Sequence, residues 1–296
     1  MIETCSYINL LGQKLQTIEN KMMDLLDSST IKERDNFYDF DMVRCPRPSH
    51  YWGETDERQK VLQMGLQKDY FNWLEHINLL FENGSKEIKE KIQEIDKFIK
   101  DWINKKQDWD VPSTIQEAKK IFKEKIQVFY QLLKLFEVSG DIELILIPDT
   151  NALITAPDVS QYSSIAGQSK YSVIIVPTVL AELDKLKIVH RDNDLRKKVD
   201  SVIKRIKGFR NQGSLLTGVT LNKTIKVKMI AHEPNFKKTL HWLDPSNEDD
   251  RIISSSLEIQ REYPSAMVNL VTLDINLQNK AEMAMLPFLE PPEERQ

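Results

Sequence analysis

The chain has 296 residues, of which 41% are hydrophobic and 29% charged, so it holds one large domain or two modest ones, each able to bury a core. A formal net charge of −4 names no partner, and any nucleic-acid surface must be a local basic patch. The only cysteines, Cys5 and Cys45, exclude a disulfide framework and a four-cysteine zinc site and read as free buried thiols. No apolar run approaches the roughly 20 residues that span a bilayer, and Met1–Leu11 lacks the basic start and long apolar stretch of a signal peptide. A soluble, cytoplasmic protein is expected, with no membrane partner.

The first half reads as helical. Ile8, Leu11, Leu15, Ile18, Met22, Leu25 and Leu26 repeat at helical spacing. A less regular stretch, Asp35–Glu54, carries Pro46, Pro48 and Gly53. Val61, Leu62, Leu66, Tyr70, Trp73, Leu74, Ile77 and Leu80 predict a second helix, ended at Asn83-Gly84. Ile88, Ile92, Ile95, Phe98, Ile99 and Trp102 predict a third. Beyond Pro112, Thr114 and Glu117 have the spacing of a capping box that opens a fourth helix, running to about Glu137 with Gly140 as its stop. Residues 1–140 are therefore expected to form an all-α domain.

From residue 141 to 296 the pattern changes. Ile142–Ile147, Val173–Val176, Thr224–Ile230 and Val268–Thr272 are candidate strands. Between them lie helical patterns at Thr178–Leu186, at Leu195 to Ile206, and at Ile252 to Ile259. Strands alternating with helices predict an α/β domain with a mostly parallel sheet.

The acids fall at telling places on these elements. Asp149 follows the first predicted strand directly, and Asp274 follows the last, in Val271-Thr272-Leu273-Asp274. Glu182 lies in the helix after the second strand, and Asp249 and Asp250 lie in the first turn of a helix capped by Ser246 or Asn247. Active sites of open parallel sheets gather beyond the carboxyl ends of the strands, so these acids can meet in one cleft. Carboxylates held that close repel, and a divalent ion offsets their charge. Hard oxygen ligands suit Mg²⁺ or Mn²⁺ better than zinc. Such an ion can ionise a water and shield a phosphate, which points to phosphodiester hydrolysis. Singly, each acid is an ordinary turn or helix-start residue.

The motifs around the acids resemble those of one family. Ile147-Pro-Asp149-Thr-Asn151 is similar to the opening motif of PIN domains, and Val179-Leu-Ala-Glu182-Leu-Asp to the second. Asn247-Glu-Asp249-Asp250-Arg-Ile-Ile resembles the third, and Val271-Thr272-Leu-Asp274-Ile-Asn276-Leu-Gln-Asn-Lys280 the fourth. The resemblance covers about half the chain, keeps the family order, and is greater to the larger PIN domains of RNA-processing nucleases than to the small toxin type. It implies a PIN-like three-layer α/β fold over 141–296, preceded by the all-α domain. It also implies a Mg²⁺- or Mn²⁺-dependent endoribonuclease that leaves a 5′-phosphate and a 3′-hydroxyl. Asp149, Glu182, Asp250 and Asp274 would be its catalytic and metal-binding acids, with Asp249 as a further ligand. Asn151, Thr272 and Asn276 would orient the carboxylates. Spacing to the following apolar residues favours Asp250 over Asp249.

Other features are less directed. Lys185–Arg210 is strongly basic, and Lys197, Lys198, Lys204 and Arg205 lie off its apolar stripe. They are candidate contacts to a nucleic-acid backbone, preferably of single-stranded RNA, or simply a solvated helix face. Arg44, Arg47, His50, Tyr51 and Trp52 form a basic-aromatic loop that could stack on bases or pack onto its own domain. His76, His190, His232 and His241 show no metal spacing. A haloacid-dehalogenase phosphatase would want an Asp where Asn151 stands, and a response-regulator receiver would want its acidic pair ahead of the phosphorylated Asp. The rival reading of another class is a PIN-like scaffold that binds RNA or protein without cutting. Its helical domain would be the interaction surface, for a protein partner or a second copy.

Overall fold

A computed structural model describes residues 6–33, 49–107, 111–137, 142–189 and 192–293. Cys5, Cys45, Arg44, Arg47, His190 and the predicted Gly140 stop lie outside the described residues. The chain splits into two compact units. One is Leu11–Phe136; the other gathers Glu137–Gln296 with Met1–Leu10.

The first unit is built on four helices: α1 (Tyr7–Asp27) from Leu11 onward, α2 (Glu57–Leu80), α3 (Lys86–Ile103) and α4 (Ile115–Lys134). Most of the apolar positions that predicted them line their buried faces, with Leu15, Met22, Leu66, Ile77, Ile99, Phe122 and Phe129 fully buried, while Val61 at the start of α2 is exposed. Trp73 sits at the centre, edge-on to Phe129 with ring centroids 4.8 Å apart, and its indole N–H donates to the Leu11 carbonyl at 2.9 Å. That bond removes the cost of burying a ring with a polar edge. The helix starts are side-chain capped. Asp56 and Gln59 form a reciprocal box on α2 that the periodicity alone did not mark. On α4, Thr114 accepts from the Glu117 amide as expected, but the Glu117 carboxylate reaches the Ser113 amide and hydroxyl instead of closing the box on Thr114.

The all-helical expectation needs one addition. Strands β1 (Ile31–Glu33) and β2 (His50–Trp52) pair antiparallel in a short ribbon. Trp52 is buried there, edge-on to Trp102, and Gln107 bonds both its backbone N–H and its carbonyl. This aromatic packs within its own unit and offers no face to a base.

The second unit carries a six-stranded sheet of β3 (Leu144–Pro148), β4 (Tyr171–Ile175), β5 (Val219–Leu221), β6 (Ile225–Met229), β7 (Met267–Val271) and β8 (Phe288–Leu289), in spatial order β5-β6-β4-β3-β7-β8. Every pairing is parallel except β5 with β6, which turn through Asn222 and Lys223, both at positive φ. Its helices are α5 (Thr150–Thr155), α6 (Ser163–Ala166), α7 (Pro177–Val189), α8 (Asn193–Arg210), α9 (Glu248–Glu262) and α10 (Ile275–Met283). Every residue of β3 and β4 is buried, which parallel strands covered on both faces require. This is the mostly parallel α/β architecture of a PIN-like domain. The central strand β3 lies between β4 and β7 in register, Pro148 opposite Val271. The chain leaves β3 for β4 on one side and later returns to β7 on the other. Its carboxyl end is therefore the switch point where an open sheet forms a crevice. No helix among the described residues is long and apolar enough to cross a membrane.

Candidate functional site

Two neighbouring strands end in aspartates. Asp149 follows β3 and caps α5, its Oδ1 accepting the Ala152 amide at 2.6 Å. Asp274 lies just beyond β7 and caps α10, its Oδ1 accepting the amides of Asn276 at 2.7 Å and Leu277 at 3.3 Å. Helix capping accounts for one oxygen of each carboxylate. The other Asp149 oxygen, Oδ2, accepts from the fully buried Thr272 hydroxyl, whose oxygen in turn accepts the Asp274 amide at 2.9 Å. Thr272 thus links the first and fourth motifs.

The second motif joins through Thr150, whose hydroxyl donates to Glu182 on α7. Lys185, one turn further along α7, pairs with Glu248 at the start of α9. The third and fourth motifs are joined by Lys280 of α10. Its ammonium lies 2.8 Å from Asp250 Oδ1, 3.1 Å from Asp249 Oδ2 and 3.0 Å from Asn247 Oδ1. Each motif is therefore tied to another by at least one polar contact.

Electrostatics separates the acids. Burial pushes the Asp149 carboxyl up. Bonds from Thr272 and Ala152 oppose the shift, and the charge of Asp274 adds to it. Glu182 is likewise raised by burial, opposed by Thr150 and reinforced by Glu248, Asp149 and Asp249. Partial burial works against the Lys280 charge, but its contacts with Asp250 and Asp249 outweigh it and push the ammonium above its ordinary value. Tyr162, fully buried, has its hydroxyl pushed up by burial and then by the charge of Asp149, and no hydrogen-bond partner satisfies it among the described residues.

The two adjacent aspartates differ. Asp250, favoured by spacing, is buried; its Oδ2 accepts the Asp244 amide at 2.9 Å, and its Oδ1 faces the Lys280 charge at 2.8 Å without a hydrogen bond among the described residues. Asp249 is more exposed and held by Lys280. Asn151 and Asn276 have exposed side chains. Each sits at the second position of its helix and offers only its backbone amide to the capping aspartate. The Thr272 hydroxyl bonds Asp149, and the Thr150 hydroxyl bonds Glu182. Lys197, Lys198, Lys204 and Arg205 are exposed on α8, which packs against α5 and α7. Lys197 pairs with Asp194 at 3.1 Å and Arg205 with Asp158 at 3.8 Å.

Among the described residues, no three acidic, histidine or cysteine side chains are gathered into a ready-made cage for a metal ion. The chemistry of the donors nevertheless fits a hard divalent cation. Asp149 and Glu182 are all-oxygen ligands, raised by burial and mutual repulsion, and no lysine or arginine pairs with either among the described residues.

Compared with known families, residues 146–289 match the sequence profile described as PIN domain. No curated protein matches the chain.

Proposed function

Residues 146–289 are a PIN domain, of a family whose members are generally nucleases, and from that premise we propose that this chain is a Mg²⁺- or Mn²⁺-dependent endoribonuclease acting on single-stranded RNA. The observation that carries the reading is the pair of raised carboxylates, buried Asp149 and half-buried Glu182, beyond the ends of adjacent parallel strands, with Asp274 tied to Asp149 through Thr272. Buried charge without a cationic partner costs stability, and it is kept where a bound cation or a reaction uses it.

Asp149, Glu182 and Asp274 would hold the ion, with the Asp249–Asp250 pair completing the acidic wall. When bound, the ion supplies an activated water and shields the phosphate charge. The residues supply orientation. Thr272 fixes the rotamer of Asp149 and Thr150 that of Glu182. The α5 and α10 amides hold one oxygen each of Asp149 and Asp274, and the Thr272 hydroxyl holds the other oxygen of Asp149. The exposed cations of α8, packed beside α5 and α7, would hold the RNA backbone, where phosphate contacts position without reading sequence.

The test is a panel of labelled single- and double-stranded RNA and DNA incubated with Mg²⁺, Mn²⁺ or EDTA. Metal-dependent internal cleavage of single-stranded RNA is expected. Tight RNA binding without cleavage under every metal would overturn the enzyme reading in favour of a non-cutting scaffold.

A further inference from the structure

The acids of this site meet their charge problem in two ways. Asp149 and Glu182 have hydroxyl and amide donors and no paired cation among the described residues. Asp249 and Asp250 already have one. Three oxygens surround the Lys280 ammonium: Asn247 Oδ1 at 3.0 Å and Asp249 Oδ2 at 3.1 Å accept hydrogen bonds from it, and Asp250 Oδ1 lies 2.8 Å away as an ion pair. Its side chain is mostly withdrawn from solvent, 23% exposed, and that of Asp250 is 8% exposed. These contacts are therefore not those of a loose surface pair, whose worth would be small.

The clamp is set by local structure on both sides. Asn247 caps α9, its Oδ1 also accepting the Asp250 amide, so the carbonyl that Lys280 bonds is already oriented. Asp250 is fixed from behind by the Asp244 amide. Lys280 stands on the helix capped by Asp274, so the residue that neutralises the third motif rides on the element that begins at the fourth.

We propose that Lys280 is the resident counter-ion of Asp249 and Asp250, taking the charge-neutralising part of a second divalent ion, so that the domain binds one such ion and not two. The inference rests on the metal-dependent reading above. It makes Lys280 a positioning residue that holds the third-motif carboxylates. One ammonium on two carboxylates leaves one negative charge, enough to draw a divalent ion towards the neighbouring acids without offering a second complete site. A lysine cation also needs no free metal to be present, so this half of the cluster keeps its shape in the metal-free protein.

The experiment compares the full chain with Lys280→Met, which keeps an unbranched apolar stem and deletes the charge, and with Lys280→Arg, which keeps the charge. Mn²⁺ binding is counted by titration calorimetry and by the loss of the free-ion electron paramagnetic resonance signal, and thermal stability is followed with and without Mn²⁺. We expect one Mn²⁺ per chain for wild type and Lys280→Arg and two for Lys280→Met. The metal-free melting temperature of Lys280→Met should fall, and Mn²⁺ should restore it. Two ions bound by wild type would overturn the inference and leave the nuclease reading intact. So would one ion bound by Lys280→Met with a lowered melting temperature that Mn²⁺ does not restore, since Lys280 would then be a structural clamp alone. If wild type binds no Mn²⁺, the metal-dependent reading fails and takes this inference with it.

Discussion

The helical unit and the sheet unit treat ionisable groups in opposite ways. Around the four helices most charges lie on the surface, many in pairs one helical turn apart, such as Lys91–Glu87 and Lys100–Asp96, and the buried Glu19 and Lys105 are bonded to Tyr130 and Gln59. The buried His76 is pushed down to about 4 by desolvation, so it is neutral at ordinary pH. Aromatic packing around Trp73 is what holds this unit together. In the sheet unit, Asp149 and Asp250 are buried acids, and Glu182 is half-buried among like charges. The first unit is organised for packing. The second retains groups that packing alone would discard, and those groups mark the site.

The sharpest contrast comes from cutting each unit at its centre. Trp73→Ala removes a fully buried ring and its bond to Leu11, and should cost about 3–5 kcal/mol in denaturant unfolding. Asp149→Asn should cost little in the metal-free protein, or stabilise it, because it relieves repulsion from Asp274 and Glu182. If Asp149→Asn destabilised as much as Trp73→Ala, the acid would be a structural element like the ring.

Thr272→Val deletes the donor to Asp149 and the acceptor of the Asp274 amide. Single-turnover cleavage should fall about 10–100-fold, as it does when residues that orient metal ligands are lost, while Thr272→Ser should keep most of it. Equal losses for both variants would mean that packing of the methyl, not the hydroxyl, matters.

The same carboxylates predict the sign of a pH effect. An acid raised by folding binds protons more tightly in the folded state, so its contribution to stability falls as pH rises through that window. For Asp149 and Glu182 the window opens at their ordinary values of 3.8 and 4.5 and extends upward to the raised ones. Metal-free wild type should lose stability relative to Asp149→Asn as pH climbs through it, measured by urea midpoints at several pH values. Parallel curves for the two proteins would show that Asp149 titrates alike folded and unfolded.

The smallest effect is expected on the surface. Replacing Lys197, Lys198, Lys204 and Arg205 with Ala should weaken RNA binding alike for all sequences and flatten its salt dependence by about one unit of slope per lost phosphate contact. An unchanged slope would return α8 to the status of a solvated helix face, like the exposed charged faces of α3.

The same division governs what the sequence discloses. Helices α1 to α4 and strands β3, β4, β6 and β7 are legible because each buries a periodic face or a continuous apolar run. Strands β5 and β8, of three and two residues, are too short to show alternation. The β1–β2 ribbon pairs Ile31 with Trp52 across an intervening stretch that hides the partnership. At the site, Asp149 and Asp274 are legible from their place after strands. Thr150 and Lys280 are not, since their roles appear only through partners 32 and 31 residues away. That Asn151 and Asn276 stand exposed at the second positions of their helices is not visible in the motif pattern either.

The central claim is that the strand-end aspartates do chemistry rather than capping alone. Asparagine preserves a capping oxygen and the shape of the side chain while removing the charge. Cleavage of labelled single-stranded RNA at saturating Mn²⁺ should therefore be abolished in both Asp149→Asn and Asp274→Asn, with circular dichroism unchanged. Wild-type cleavage rates in both variants would contradict the account and leave these residues as helix caps.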